Sequence, residues 1–513
     1  MNTPATVTLA AEYAMSYTLS DGVLVALGFT MILTFMTLIM TGRLTPLVAL
    51  ILVPTIFGLI AGAGFGLGDM VLDAIGDMAP TAALLMFAIM YFGIMIDVGL
   101  FDPLIRGITR VLDNDPAKVV VATAVLAGVV SLDGDGSTTF IITTSAMLPI
   151  YLRLGMSPVI LTCTAGLING TMNIVPWGGP TARASAALGV DATDIFVPML
   201  PSLAVGVIIC LAFAWWMGLA ERKRLGGVID TSRFGGDGGR GGGTVGGSGS
   251  SRDDGFGGGS GHGPSGGGGG VDTDTRVEVE EHSTAGLVDD DDPTMADTAL
   301  DPHRATLRPK LIWFNLILTI AVMVLLVLNI FPLAFVFMVG TGLALVVNFP
   351  QIKAQTSEIV SHAPSIVSVV SMVLAAGVLV GVLDGTGMVT AMADWITTVI
   401  PNSMGPYLAV ITGVLSIPMT FFMSNDAFYF GILPVLAESA ANFGINPAEM
   451  ARASITGQPV HMQSPLVPAI LLLVSLANVN LGDHHKKVLW RAVIVSLAML
   501  VIGVLVGAIP FAV

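Results

Sequence analysis

The chain has 513 residues, 54% of them hydrophobic and 11% charged, with a mean hydropathy of +0.84. A soluble domain carries about 25% charged residues, so this composition is that of a polytopic membrane protein. The net charge of −15 comes partly from a central linker and from loops, and no basic patch exists to hold nucleic acid.

Residues 1–21 read as a short extracytoplasmic tail, since no basic segment precedes the first apolar run to make a cleaved signal. Candidate spans follow at 22–41, 46–66 and 79–100, then a hairpin near 119–152, a broken segment near 156–185 and a span at 197–219. After the linker come 310–329, 332–348, 364–383, a hairpin near 405–441, a broken segment near 446–475, and 488–512. The expected fold is therefore an all-α polytopic membrane protein of two repeats, 22–219 and 310–513. Each repeat has five transmembrane helices and one re-entrant helical hairpin. Five is odd, so the repeats should be inverted.

Charge follows the same plan. With the first residue outside, Arg43, Arg106, Arg110, Lys118, Arg153, Arg222, Lys223 and Arg224 fall on the cytoplasmic side. Arg304, Arg308, Lys310, Lys353, Lys486, Lys487 and Arg491 join them, while Asp69, Asp73, Asp77, Asp191, Asp194 and Asp394 occupy outer loops. This is the positive-inside pattern, and it places both termini outside in a multi-pass protein of the cell membrane. Arg183 and Arg452 depart from it. Residues 220–309, rich in Gly and Asp, have too few apolar side chains to fold and form a cytoplasmic linker. They lack the GxxxxGK[ST] pattern of a phosphate loop. Cys163 and Cys210 lie in apolar stretches and read as small buried hydrophobes.

The repeat shows in the letters. GMSP at 155–158 matches GINP at 444–447, and the same register pairs Asn169 with Gln458, Pro176 with Pro465 and Asp194 with Asp483. Each unit follows a Leu-Pro, 148–149 or 433–434, and before that an acidic turn, DGDGSTT or MSNDAF. Inverted repeats place their solute where broken helices meet, near the bilayer midplane.

Four stretches should converge there: the hairpin tips Asp133–Thr139 and Ser424–Asp426, and the breaks at 169–183 and 457–465. Glycine and proline interrupt the helical ladder and free backbone donors and acceptors. Ser137, Thr138, Asn169, Thr171, Asn173, Ser424, Asn425, Gln458, Gln463 and Ser464 add neutral polar groups, a lining suited to a carboxylate-rich solute. Exposed to lipid, Asp133 and Asp135 would each cost about 2.5–3.5 kcal/mol, so their turn must be wet or buried. The pair can ligate Mg²⁺ or Ca²⁺, share a coupling proton, or cap the second arm. An EF-hand is excluded, because the remaining ligand positions are missing. Asp426 is the counterpart acid or another cap. Arg183 can grip a carboxylate or snorkel, His461 can relay protons or hold broken backbone, and Trp177 reads as packing. A bare tricarboxylate would be repelled by Asp133, Asp135 and Asp426. Complexed with a divalent metal it keeps one net negative charge and offers the metal to those carboxylates.

SLDGDGSTTFIITTSAMLP, NIVPWGGPTARA, MSNDAFYFGILP and GQPVHMQSPLVPA followed by LGDHHK together resemble the citrate–divalent metal:proton symporter (CitMHS) family of the ion-transporter superfamily. The resemblance covers 22–219 and 310–512 and implies uptake of metal-complexed citrate driven by the proton gradient. It further implies two opposed hairpins, no resident cofactor, and a homodimer whose scaffold holds still while transport domains move. The tips at Asp133–Thr139 and Ser424–Asp426, with the breaks at Asn169–Asn173 and Gln458–Ser464, would bind solute and ions. The linker is longer and richer in glycine than the family leads one to expect. A carrier or exchanger for a dicarboxylate or Na⁺ is the alternative within transport. An intramembrane enzyme using Asp133 and Asp135 is the alternative outside it, and polar positions spread over both halves speak against that one.

Overall fold

The computed structural model describes residues 13–103, 106–107, 115–134, 136–226, 304–328, 330–399, 401 and 403–513. Asp135, Arg110, most of the N-terminal tail and nearly all of the expected linker lie outside them. The described residues are helical and contain no strand.

The first half runs α1 (Asp21–Met40), α2 (Pro46–Ile60), α3 (Leu67–Asp97), α4 (Pro116–Val130), α5 (Gly136–Arg153), α6 (Pro158–Met172), α7 (Gly179–Leu188), the short α8 (Ala192–Phe196) and α9 (Leu200–Arg224). The second runs α10 (Ile312–Leu328), α11 (Leu333–Asn348), α12 (Ile352–Ser361), α13 (Ala363–Gly385), α14 (Met388–Val399) and α15 (Leu408–Phe422). It ends with α16 (Leu433–Ala441), α17 (Pro447–Ile455), α18 (Gln458–His461), α19 (Pro468–Leu476) and α20 (Leu481–Leu505). Between α15 and α16 lies a π-helical turn, Ala427–Ile432. Eight helical stretches among the described residues are long and apolar enough to cross a membrane. Trp215, Trp216, Trp313, Trp395 and Trp490 stay exposed, as suits side chains with an apolar ring and a polar edge at a bilayer surface.

Local chemistry explains the matched GMSP and GINP. Gly155 and Gly444 both take positive φ, 67° and 85°, and stop one helix in the left-handed conformation. Proline then occupies the first position of α6 and of α17, where its missing N–H costs nothing. Asn446 accepts from the Ala448 amide and Glu449 reaches back to the Asn446 amide, completing a capping box. The same logic starts α4, where Asp115 caps Ala117 ahead of Pro116.

Several expectations shift. The hairpin arms α4 and α5 have 15 and 18 residues, longer than the dozen apolar residues visible in each. Helix α3 begins twelve positions before the expected 79, so Asp69, Asp73 and Asp77 sit four apart along one helix face and not in an outer loop. Likewise Asp394 lies on α14, and α20 starts at Leu481 and carries Asp483 and both neighbouring histidines. Neither α12 nor α14 shows in the hydropathy.

The two halves interlock. The most extensive pairing joins α3 to α13, and α11 and α2 pack on the same pair. A second group gathers α4, α6 and α9 with α20, and α5 with α19. Each group takes helices from both ends of the sequence, and the cavity described next lies where they meet.

Candidate functional site

The first hairpin turns at Ser131–Gly134. Gly134 has φ +80°, and a Cβ there would stand 2.9 Å from the Trp177 ring, so only glycine fits. Trp177 donates its Nε1–H to the Leu132 carbonyl at 2.8 Å and packs on Phe92 and Phe337. It is a brace for the tip, as its expected packing role requires. Behind the turn, Asn169 donates to Ser131 Oγ at 2.9 Å.

The second tip has the same construction. Gln458, on the other broken helix, donates to Asn425 Oδ1 at 3.3 Å and to the Tyr429 hydroxyl at 3.0 Å. Ser424, not Asp426, supplies the cap, accepting from the Ala427 amide at 3.2 Å. The residues paired by sequence register, Asn169 and Gln458, thus hold equivalent tips, each within its own half.

Both tips and both breaks open on one cavity of about 630 Å³, within the range of ~300–1,000 Å³ usual for small-molecule sites. Asp133, Ser137, Asn173, Arg183, Ser424, Asn425, Asp426 and His461 line it. Arg183 Nε bonds Asp426 Oδ1 at 2.6 Å, an ion pair from one half to the other. The expected repulsion by several carboxylates is thereby reduced, since Asp426 is already neutralised. Among the described lining residues the formal charges are one Arg and two Asp. His461 Nδ1 faces the Thr420 carbonyl, which can only accept. Nδ1 therefore carries a proton, and in the neutral ring Nε2 keeps its lone pair.

Other expected site residues do not line the cavity. Asn169 and Gln458 stand behind the tips. Thr171 faces α9, donating to the Leu167 carbonyl and meeting Cys210 Sγ at 3.2 Å. Gln463 bonds the Gly166 and Pro459 carbonyls and His484, and Ser464 donates to the Phe421 carbonyl. Both weld the second break to its surroundings. Thr138 is buried outside the lining. Asp135 lies outside the described residues. Sequence reading missed Ser365 and Ser368, which line the cavity from α13 with Pro364. Serines three apart in an apolar helix share one face, and that spacing was the available signal.

Helices apolar and long enough to cross a membrane surround a polar cavity walled by turns and breaks, which is the build of a membrane transporter. A family model described as "Citrate transporter" (CitMHS) matches residues 14–457. A "Citrate transporter" of Bacillus subtilis (strain 168) is 45% identical over 95% of this chain and all of its own length. A "Mg(2+)/citrate complex secondary transporter" of the same organism is 43% identical over 96% of this chain and all of its own. The crystal structure of the YdaH transporter of Alcanivorax borkumensis shares the fold, with a TM-score of 0.53 and 13% identity over 88% of this chain and 91% of that one. The chain belongs to the citrate transporter (CitMHS) family.

Proposed function

We propose that this chain imports citrate complexed with a divalent cation, Mg²⁺ or Ca²⁺, together with protons, by alternating access between two inverted halves. The observation that supports it most is the shared cavity, walled by hairpin tips and helix breaks from both ends of the sequence. A complex with one net negative charge suits walls in which Arg183 already balances Asp426. The metal would meet Asp133, a hard oxygen ligand, with Asp135 two positions further along the chain. Ser137, Asn173, Ser424 and Asn425 would donate to citrate oxygens. The coupling proton would ride on the aspartate turn or on His461 Nε2, whose partner nitrogen is fixed by Thr420. Asn169 and Gln458 would act as positioning residues that hold the tips. The same reading puts both termini outside, the linker in the cytoplasm, and two copies in a homodimer. The name of the Mg(2+)/citrate relative accords with it.

The test is uptake of labelled citrate into proteoliposomes. Accumulation should need Mg²⁺ or Ca²⁺ and an inwardly directed proton gradient, and excess succinate should compete poorly. Uptake indifferent to divalent cations, or driven by a Na⁺ gradient alone, would sink the proposal.

A further inference from the structure

Outside the cavity lies a second cluster of titratable groups that the transport reading does not use. Asp97 at the end of α3, Glu358 on α12 and His362 at the junction of α12 and α13 each place a ligand atom within 4.8 Å of the others. All three are buried, with relative exposures of 4%, 5% and 0%. They join elements from the two halves of the sequence.

The spacing is that of ligands around a shared ion. His362 Nε2 lies 3.3 Å from Asp97 Oδ2 and 3.6 Å from Glu358 Oε1. Bonds of ~2.0–2.2 Å to a tetrahedral metal set neighbouring ligand atoms roughly 3.3–3.6 Å apart. Glu358 Oε1, the atom turned toward the imidazole, accepts no hydrogen bond, and neither does Asp97 Oδ1. Burying such oxygens unsatisfied is costly. The ring itself is seated with care: a Cβ at position 93 would stand 2.5 Å from the His362 Cε1, so Gly93 makes the berth for the imidazole. Nearby, Arg304 bonds the Ile96 and Asp97 carbonyls and the Asp102 carboxylate, and Thr306 bonds the Asp97 carbonyl, fixing the end of α3.

We infer that Asp97, Glu358 and His362 bind a resident divalent cation of the Zn²⁺ type, separate from any metal carried with the solute. Two carboxylates and a dication make a neutral buried unit, and one imidazole favours a borderline ion over Mg²⁺ or Ca²⁺. Three protein ligands leave a fourth position for water. The ion would clamp α3 to the α12–α13 junction. Gly93 and Ile96, on the same stretch of α3, line the cavity together with Pro364 and Ser365 just past His362. The clamp therefore sits against the cavity wall without facing into it.

The experiment uses the full chain in detergent, stripped by chelator and free of citrate, titrated with Co²⁺ as a spectroscopic substitute for Zn²⁺. One Co²⁺ per chain, with the intense visible absorption of a tetrahedral nitrogen–oxygen site and displacement by one equivalent of Zn²⁺, is expected. His362→Gln and Asp97→Asn should weaken binding by more than the roughly 10–100-fold that losing an outer-shell partner costs. Asp133→Asn and His461→Gln, both in the cavity, should leave the spectrum unchanged, which separates this site from the transported metal. Should His362→Gln fail to fold, zinc-edge X-ray absorption of the His461→Gln protein serves instead, and one imidazole among oxygen ligands is the supporting result. No stoichiometric Co²⁺, an all-oxygen octahedral spectrum, or a spectrum unaltered by His362→Gln overturns the inference.

Discussion

Replacing Arg183 by Gln removes the guanidinium from Asp426 and leaves an uncompensated carboxylate in the cavity wall. A cavity of about 630 Å³ has the volume of a sphere roughly 5 Å in radius, and at an effective dielectric near 20 a like charge at that distance opposes a singly charged anion by about 3 kcal/mol. That corresponds to roughly a hundredfold in affinity. The two side chains are 20% and 10% exposed, so screening by water and salt lowers the effect toward about tenfold. The expected result is a 10–100-fold rise in the citrate concentration for half-maximal uptake by Arg183→Gln proteoliposomes, by the estimate above. Adding Asp426→Asn to the same chain removes the extra charge and should recover most of that loss. If the double variant stays as weak as Arg183→Gln, the arginine acts by holding the solute directly, and the neutralisation argument fails.

Three further outcomes follow from the geometry. Asp133→Asn should insert and keep its thermal midpoint yet lose metal-dependent citrate accumulation, and Asp135→Asn should do the same; wild-type accumulation by either would reduce that residue to a structural one. Gly134→Ala should lose about 1–2 kcal/mol for the left-handed backbone alone, before the contact with Trp177 is counted, and should lower the unfolding midpoint and uptake together. Asn315 and Asn348 exchange side-chain amide bonds of 3.0 and 2.9 Å at about 1% exposure. Asn348→Leu should therefore cost about 1–3 kcal/mol, read as a lower midpoint in detergent with the half-maximal citrate concentration unchanged. An altered citrate dependence would refute a purely architectural role for that pair.

What the letters reveal, and what they hide, has a physical pattern. Helix starts were readable because Pro at the first turn and left-handed Gly before it are local requirements, met at Gly155–Pro158 and Gly444–Pro447. The pairing of Asn169 with Gln458 was readable because each works on its own hairpin. The Arg183–Asp426 bond, 243 positions apart, depends on how the halves dock and leaves no local trace. Thr171 was misplaced for a simpler reason: two positions on a helix turn through about 200°, so Asn169 and Thr171 cannot face the same way. Gln463 and Ser464 stand outside the cavity lining because a broken helix needs its own polar side chains to satisfy its backbone, Gln463 donating to the Pro459 carbonyl and Ser464 Oγ accepting from the Leu466 amide. The Asp97–Glu358–His362 cluster went unseen because α12 is short and too polar to register as a span.

The π-helical turn after Asp426 carries one more consequence. Its wider winding holds an additional residue between the carboxylate and Pro434. Deleting one residue of 427–432 would let the segment relax to ordinary winding with its two ends still facing as they do now, because the wider turn already absorbs the additional residue. The same deletion inside α16 would instead swing its ends about 100° apart around the axis. The turn is therefore the one place between Asp426 and α16 where the chain can lose a residue while the carboxylate stays aimed at Arg183.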